Sequence, residues 1–232
     1  MSNRIHPTAV VGDGVVLGDG NVVGPYSVIL GPCRIGDGNW IGPHVSIGAA
    51  AESRGGPHPV AWDGELDGEG VEIGDRNYLR EYVTVHQGTK RPTRIGDDCY
   101  LLTRSHAGHD VALGDAVTLS CSAQLGGHTE IGTYANIGMS AVLHQFSRVG
   151  PGAMIGMGAC VRREIAPFTI AVGNPARAVG VNEIGLTRCG VNGDAAAAMA
   201  EYVKGRGAVP DGLPDDIAAL LTAWERSTPA PA

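Results

Sequence analysis

The sequence is poor in aromatic residues, in positive charge and in long hydrophobic runs. Only 5% of its 232 residues are aromatic while 36 are glycine, which favours short strands and many turns over a conventional packed globule. With a net charge of −7, the chain lacks the positive field that nucleic acid or an anionic membrane surface would attract. No apolar run approaches the ~20 residues of a membrane span. These absences argue against a nucleic-acid-binding or membrane-spanning protein.

The cysteines show no pairing pattern. There are five, an odd number, and none forms a C-x-x-C motif. A disulfide framework or a zinc knuckle is therefore not expected, and reduced thiols in the cytoplasm are the simpler interpretation. A repeat begins by Ile5, which leaves no room for a signal peptide. We therefore expect a cytoplasmic protein.

A branched aliphatic residue recurs every six residues along most of the chain. Of 23 such leading positions, 22 are Ile, Leu or Val. A small or β-branched residue usually stands two positions before each leader, so both side chains share one face of a strand. Repeats of this period are typical of a parallel β-helix built from triangular coils. With three hexads per coil, the sequence predicts between seven and eight coils.

Two segments interrupt the repeat, and a different pattern follows it. The interruptions lie at about 49–72 and 88–94, and insertions in solenoids often carry function. We predict a β-helix over residues 1–181 and a helical region over 182–232. Asp194 is placed to cap an Ala-rich helix in that region. Apolar residues at helical spacing follow later, at Ile217, Leu220, Leu221 and Trp224.

Half of the eight histidines fall on one predicted face. Counting three faces in rotation puts the hexads led by Val85, Ala107, Leu125 and Leu143 on successive rungs of the same face. These hexads carry His86, His109, His128 and His144. His106 is predicted at the corner leading into this face. A lone histidine is most simply a surface residue, but four in register indicate a functional site along this face.

The histidines on this face could bind a metal ion, or one of them could act as a general base. Zinc needs three or more converging ligands, and no further His or carboxylate pattern completes such a set. The γ-class carbonic anhydrases share this architecture, but their two close histidines are separated by four residues, whereas His106 and His109 are separated by two. A neutral imidazole acting as general base is more economical. Asp110 could orient His109 if the corner bends, because adjacent strand side chains otherwise point apart.

Several motifs together resemble one enzyme family. They are H-P-T-A-V-V at 6–11, V-E-I-G-D-R-N at 71–77, R-E-Y-V-T-V-H-Q-G-T at 80–89, H-A-G-H-D at 106–110, L-G-G-H at 125–128, L-H-Q-F at 143–146 and G-N-P-A-R-A-V-G-V-N at 173–182. Their order and spacing resemble the UDP-N-acetylglucosamine O-acyltransferases of lipid A synthesis. The resemblance implies an all-β solenoid, a left-handed parallel β-helix, that forms a homotrimer with sites between subunits. It also implies acyl transfer from acyl carrier protein to a sugar hydroxyl, with no metal.

The resemblance assigns roles residue by residue. His109 would be the general base supported by Asp110, and the backbone N–H of Gly127 would stabilise the oxyanion. His106, His128, His144 and Gln145 would position the acceptor and the acyl group. Asn182 and Arg188 would lie near the donor's phosphopantetheine or the nucleotide. Met157 would shorten the acyl groove, although plain core filling is an equal alternative. His86 receives no role.

The sequence leaves the identities of the acceptor and donor substrates open. The acidic segment containing Asp63, Glu65, Asp67 and Glu69 replaces the family's acceptor-binding segment and would repel a diphosphate. Basic residues of the C-terminal third could steer an acidic carrier protein; they are Arg148, Arg162, Arg163, Arg177, Arg188, Lys204 and Arg206. A CoA-dependent N- or O-acyltransferase acting on another small molecule is the main alternative. A metal enzyme resembling γ-carbonic anhydrase and a non-catalytic solenoid are less favoured.

Overall fold

The protein is a left-handed parallel β-helix with a short helical region at its C-terminal end. The computed structural model describes residues 2–54, 68–205 and 208–227. In chain order the strands are β1 Arg4–Ile5, β2 Val10–Val11, β3 Val15–Leu17, β4 Val22–Val23, β5 Val28–Ile29, β6 Cys33–Ile35, β7 Trp40–Ile41, β8 Ser46–Ala49, β9 Val71–Ile73, β10 Tyr78–Leu79, β11 Thr84–His86, β12 Thr93–Ile95, β13 Tyr100–Leu101, β14 His106–Ala107, β15 Ala112–Leu113, β16 Thr118–Leu119, β17 Gln124–Leu125, β18 Glu130–Ile131, β19 Asn136–Ile137, β20 Val142–Leu143, β21 Arg148–Val149, β22 Met154–Ile155, β23 Cys160–Val161, β24 Glu164–Ile165, β25 Thr169–Val172 and β26 Arg177–Val181. The predicted fold class is confirmed.

The strands form three sheets, and every third strand belongs to the same sheet. Sheet I contains β1 and has ten strands, sheet II contains β2 and has eight, and sheet III contains β3 and has eight. All strand pairs are parallel except that of β26, which returns antiparallel to β25. Leu101 shows the common pattern, since it is buried while its strand neighbour Tyr100 points outwards. The hexad leaders therefore fill the core, as the repeat predicts.

The solenoid is longer than the repeat suggests. It makes between eight and nine turns, whereas the sequence predicted between seven and eight. The extra strands arise because Ile165 follows Val161 after four residues instead of six, and Ala171 then resumes the six-residue spacing. Both side chains are buried in the core. Because this corner is two residues shorter than the others, a strict six-residue period does not predict the last two strands.

Polar side chains inside the solenoid form a ladder that fixes its register. The Oδ1 atoms of Asn3, Asn21 and Asn39 each accept the backbone N–H of the asparagine one turn later, at 2.8 Å. Asn77 continues the ladder to the backbone N–H of Cys99 at 2.7 Å. Because a buried amide without partners is costly, this ladder disfavours slippage between coils. Cys33 and Cys99 are core residues, and burial raises the pKa of each thiol to about 12.

The two insertions differ from their predicted extents. The first spans the connection between β8 and β9, and its residues 55–67 lie outside the described ones, including Asp63, Glu65 and Asp67. The second was predicted to continue to residue 94, but β12 already begins at Thr93. Thr93 is buried and pairs with Val71 in sheet III, so it belongs to the repeat.

Three helices follow the solenoid: α1 Glu183–Arg188, α2 Gly193–Val203 and α3 Asp215–Arg226. The residue at the N-terminal cap of α2 is Asn192, so the prediction that Asp194 caps this helix is wrong; Asp194 lies in the first turn. The helices pack on the last turn through a second apolar cluster of Phe168, Leu186, Val191, Met199, Ile217 and Leu221. In the described part of the chain, none of the helices has the length and apolar character needed to traverse a lipid bilayer.

Candidate active site

His109 and Asp110 occupy the corner between sheet II and sheet III. Asp110 has a φ of 62°, in the left-handed region that Asp tolerates better than bulky residues do. This conformation brings its side chain beside the preceding one, so that Oδ2 of Asp110 lies 2.7 Å from Nδ1 of His109. In an extended strand the two side chains would point apart. The left-handed corner therefore creates the histidine–carboxylate pair.

The loop after β11 holds the Asp110 carboxylate in place. Its oxygens accept the backbone N–H groups of Thr89, Lys90 and Arg91 at 2.7–3.1 Å, and Oδ2 also accepts the Thr89 hydroxyl at 2.7 Å. The Arg91 guanidinium donates to the backbone carbonyl of Asp110 and to Glu130. Burial would raise the pKa of Asp110, but the hydrogen bonds from His109, Thr89 and Lys90 outweigh it and lower the pKa. The carboxylate is therefore a fixed negative charge behind His109.

Gly127 lies one turn further along the same corner, directly against the His109 ring. A Cβ atom at this position would come within 2.5 Å of Cε1 and 2.6 Å of Nε2 of His109. Only glycine leaves room for the imidazole here. The Gly127 carbonyl accepts the N–H of Phe146 at 3.0 Å, whereas its own N–H meets no acceptor among the described residues. An unpaired backbone donor thus stands beside the imidazole.

His128 completes the cluster around Asp110. Its Nε2 lies 3.7 Å from Oδ2 of Asp110, and its ring meets the His109 ring edge to face at 5.0 Å. Its other face stacks on Phe146 at 4.5 Å. Burial lowers the pKa of His128, although the Asp110 charge opposes this effect. The neutral form of the ring is therefore favoured.

One donor atom each from His109, Asp110 and His128 lies within 4.8 Å of the others, a spacing that a metal ion could bridge. A metal ligand must however offer a free lone pair. Oδ2 of Asp110 already accepts hydrogen bonds from His109 and from the backbone and hydroxyl of Thr89. A cation would have to displace these donors, so the cluster fits an acid–base role better than a metal centre.

His106 was predicted at a corner, but it lies on β14 itself, in sheet II. Its Nδ1 is 2.8 Å from the Thr84 hydroxyl, and its Nε2 is 3.5 Å from a carboxylate oxygen of Glu52. The ring also meets His86 edge to face at 5.0 Å. Burial lowers the pKa of both histidines. His106 thus stands in a second polar cluster beside the first.

An open cavity of about 350 Å³ joins these clusters. His106, His109, Gly127 and Gln145 line it together with Glu52. The cavity runs over the outward side chains of sheet II, which include Gln124 and Val142. The structure therefore brings four of the predicted site residues to one surface.

Three further predicted residues, His144, Asn182 and Arg188, do not line this cavity. His144 lines a separate cavity of about 810 Å³ with Arg162, Arg163 and Arg177. Asn182 caps α1 by accepting the N–H of Gly185, and its amide donates to the carbonyl of Gly152. Gly152 belongs to the corner between sheets III and I, so Asn182 is on a different edge of the prism from His109. Arg188, at the end of α1, is exposed. One chain alone does not unite these two residues with His109.

Met157 is not a core residue. Its side chain is 76% exposed at the corner between sheets I and II. Met139 and Cys121 occupy the same corner one and two turns earlier, respectively, and Met139 is 52% exposed. The alternative that Met157 fills the core is therefore wrong. An apolar column borders sheet II along this edge.

Sequence reasoning missed the residues that hold the His109–Asp110 pair in place. The backbone donors at 89–91 carry no side-chain signal, and Arg91 stood in an insertion without a repeat register. Glu52 was hidden in the same way by the first insertion. The basic pair Lys90–Arg91 directly after H-Q-G-T was a hint for Arg91 in the sequence.

A left-handed β-helix that sets a histidine–carboxylate pair beside an unpaired backbone N–H defines a class of acyltransferases. The chain is 38% identical over 212 residues to the acyl-[acyl-carrier-protein]–UDP-N-acetylglucosamine O-acyltransferases of Paraburkholderia phymatum and Paraburkholderia phytofirmans, which covers 85% of this chain and 80% of each relative. The chain belongs to this UDP-N-acetylglucosamine O-acyltransferase family. No family model matches it.

Solved structures agree with this assignment of the fold. The UDP-N-acetylglucosamine acyltransferase from Campylobacter jejuni gives a TM-score of 0.76 at 24% identity, covering 98% of this chain and 96% of that one. The UDP-N-acetylglucosamine O-acyltransferase from Moraxella catarrhalis gives 0.65 at 29% identity, covering 97% and 88%.

Proposed function

We propose that this protein transfers an acyl group from acyl carrier protein to the 3-hydroxyl of a UDP-N-acetylglucosamine-like acceptor, in the lipid A pathway. The observation that carries the proposal is the His109–Asp110 pair packed against the free N–H of Gly127. These groups supply a base and an oxyanion donor at one cavity, with the orienting carboxylate buried behind the base.

His109 acts as the general base. Because the Nδ1–H of His109 donates a hydrogen bond to Asp110, Nε2 keeps a lone pair facing the cavity. It removes the proton from the acceptor as the acceptor attacks the thioester carbonyl, and later returns it to the departing thiolate. The fixed Asp110 charge stabilises the imidazolium formed between these steps.

The backbone N–H of Gly127 stabilises the negative charge that develops on the thioester oxygen. Such a donor costs no reorganisation at the moment of reaction, and loss of one donor typically lowers the rate by ~10²–10³. His106, His128, His144 and Gln145 position the acceptor and the acyl group around this point.

The complete site requires a neighbouring copy in a homotrimer. Asn182 and Arg188 lie away from His109 in their own chain, and in the trimer they reach the donor's phosphopantetheine or the nucleotide of the adjacent site. Met157 limits the length of the acyl chain in the groove along sheet II.

Acyl carrier protein is the donor. Arg162, Arg163 and Arg177 line one side of the 810 Å³ cavity near the C-terminal end, and this positive surface suits an acidic carrier protein. Acyl-CoA presents the same phosphopantetheine thioester, so it is the competing donor.

The decisive experiment is the mass of the product formed from acyl carrier protein thioesters of several chain lengths and UDP-N-acetylglucosamine. We expect an acylated nucleotide sugar with the wild type and none with His109→Ala. His6→Ala, at the opposite end of the solenoid, is the matched control and should retain activity. A wild-type enzyme that prefers acyl-CoA, or that loses activity with a chelator, would contradict this reading. So would full activity in His109→Ala.

A further inference from the structure

The loop that holds Asp110 is joined to a row of alternating charges on sheet III. Arg91 donates to the Asp110 carbonyl from Nε and Nη2 at 3.2 and 3.1 Å, and Nη2 also donates to Oε1 of Glu130 at 3.1 Å. The other oxygen of Glu130, Oε2, lies 3.4 Å from Nε of Arg148. Arg148 in turn donates from Nη1 to Glu164 at 2.6 Å. Glu130 therefore bridges two arginines, one at the Asp110 loop and one further along the sheet.

Arg148 is the fixed end of this row. Its side chain is only 5% exposed, and its guanidinium carbon lies 4.1 Å from the centre of the Trp224 ring on α3. Its Nη2 donates to the hydroxyl of Ser227, the residue that follows α3. Glu130 and Glu164 lie on the strands on either side of it in sheet III. Because a buried guanidinium without partners is costly, Arg148 has little freedom to leave this position.

Arg91 is the end that needs support. Its side chain is 39% exposed and follows the loop after β11, whereas Glu130 is 32% exposed on β18. An exposed arginine gains little from a single ion pair, because ordering the long side chain costs conformational entropy. Since Arg148 already holds Glu130, the carboxylate that Arg91 binds is in place before the pair forms. Glu130 thus transfers the rigidity of Arg148 to Arg91.

The order of Arg91 decides how firmly Asp110 is held. The backbone N–H of Arg91 donates to Oδ1 of Asp110 at 3.0 Å, while its guanidinium donates to the Asp110 carbonyl. One residue therefore contacts Asp110 on both its side chain and its main chain. The Asp110 carboxylate lies 2.7 Å from Nδ1 of His109, so a looser loop would also loosen the imidazole.

We propose that Glu130 is a positioning residue for the acyl transfer, which ties Arg91 to the buried Arg148 and so keeps Asp110 beside His109. Glu130 lies on sheet III and does not line the cavity over sheet II, so it acts through Arg91 and not on a substrate. Its loss should therefore lower kcat and leave KM nearly unchanged. The inference rests on the proposed acyl transfer and adds a residue outside the cavity to it.

The test is a double-mutant cycle on kcat and KM with Glu130→Gln, Arg91→Ala and the two combined. The Gln amide has one oxygen, so it can accept from one arginine but turns its NH2 group towards the other. We expect Glu130→Gln to lower kcat about fivefold, the scale of one hydrogen bond. The combined variant should be no slower than Arg91→Ala alone, whereas independent effects would multiply to about 25-fold.

Glu164→Gln is the matched control. It also removes a carboxylate partner of Arg148, but the carboxylate of Glu164 makes no contact with Arg91 among those the structure describes. A purely structural role of the row would make both glutamine variants alike. We expect Glu164→Gln to keep the kcat of the wild type even where it lowers the unfolding temperature.

A second readout does not depend on turnover. Backbone amide hydrogen exchange at residues 89–91 should be faster in Glu130→Gln than in the wild type and unchanged in Glu164→Gln. An unaltered kcat in Glu130→Gln, multiplied effects in the double variant, or unaltered exchange would each overturn the role of Glu130 while acyl transfer stands. If the wild type acylates no acceptor, the proposed function fails, and the exchange rates alone then decide whether Glu130 holds the loop. Because Glu130 is partly exposed, its variant should fold, which thermal unfolding would verify.

Discussion

Replacing Gly127 with alanine should disable the enzyme through His109. The added Cβ would lie 2.5 Å from Cε1 of His109, whereas ordinary carbon contacts need about 3.5 Å, so the ring must retreat by roughly 1 Å. A displacement of about 1 Å costs ~10²-fold in rate, or ~2.7 kcal/mol of transition-state stabilisation. It would also stretch the 2.7 Å bond to Asp110. Alanine keeps the backbone N–H at position 127, so the loss of rate would come from displacement of His109 and not from loss of the oxyanion donor.

The assay is steady-state kinetics with both substrates varied. We expect kcat to fall about a hundredfold with a small change in KM. Gly12→Ala is the matched control, because Gly12 lies on the same corner in an earlier turn and its Cβ would meet nothing closer than 3.5 Å. If Gly127→Ala kept kcat within about threefold of the wild type, the close packing of His109 on this glycine would not govern catalysis.

Three further perturbations test other parts of the site. Met157→Gly should shift the preferred donor towards longer acyl chains in a competition assay. Equal rates for short and long donors in both enzymes would refute the idea that Met157 limits the length of the acyl chain. Asp110→Asn should lower the thermal unfolding temperature at pH 7, and the difference from the wild type should shrink progressively below pH ~4; because folding lowers the pKa of Asp110, its stabilisation is complete above the unfolded-state pKa and is lost as the pH falls through the lower, folded-state pKa. Arg91→Ala should reduce kcat about fivefold by loosening the loop that holds Asp110, whereas Arg94→Ala, in an exposed ion pair, should match the wild type.

The repeat predicted the scaffold well because its core is periodic. Each hexad leader, such as Leu101 or Leu125, is buried for the same reason, and one face count placed His109 and His128 on neighbouring turns. The prediction ended early because the corner before Ile165 is shorter than the period.

The site was less predictable because its decisive contacts are not periodic. The pairing of His109 with Asp110 depends on a left-handed backbone conformation, which the sequence pattern did not reveal. Insertions supply Arg91 and Glu52, and the placement of an inserted segment depends on tertiary packing. Asn182 matched a family motif, yet its position on another edge of the prism emerged only from the fold.

The eighteen-residue turn makes distance along this protein a discrete quantity. Residues 121, 139 and 157 stand on one corner at successive rungs, each separated by the strand spacing of about 4.8 Å. A bulky side chain placed at one of these rungs would end a groove there, and moving it to the next would change the length by one whole step. Measuring substrates in such increments needs no change in the scaffold, because a buried aliphatic residue recurs beneath each rung.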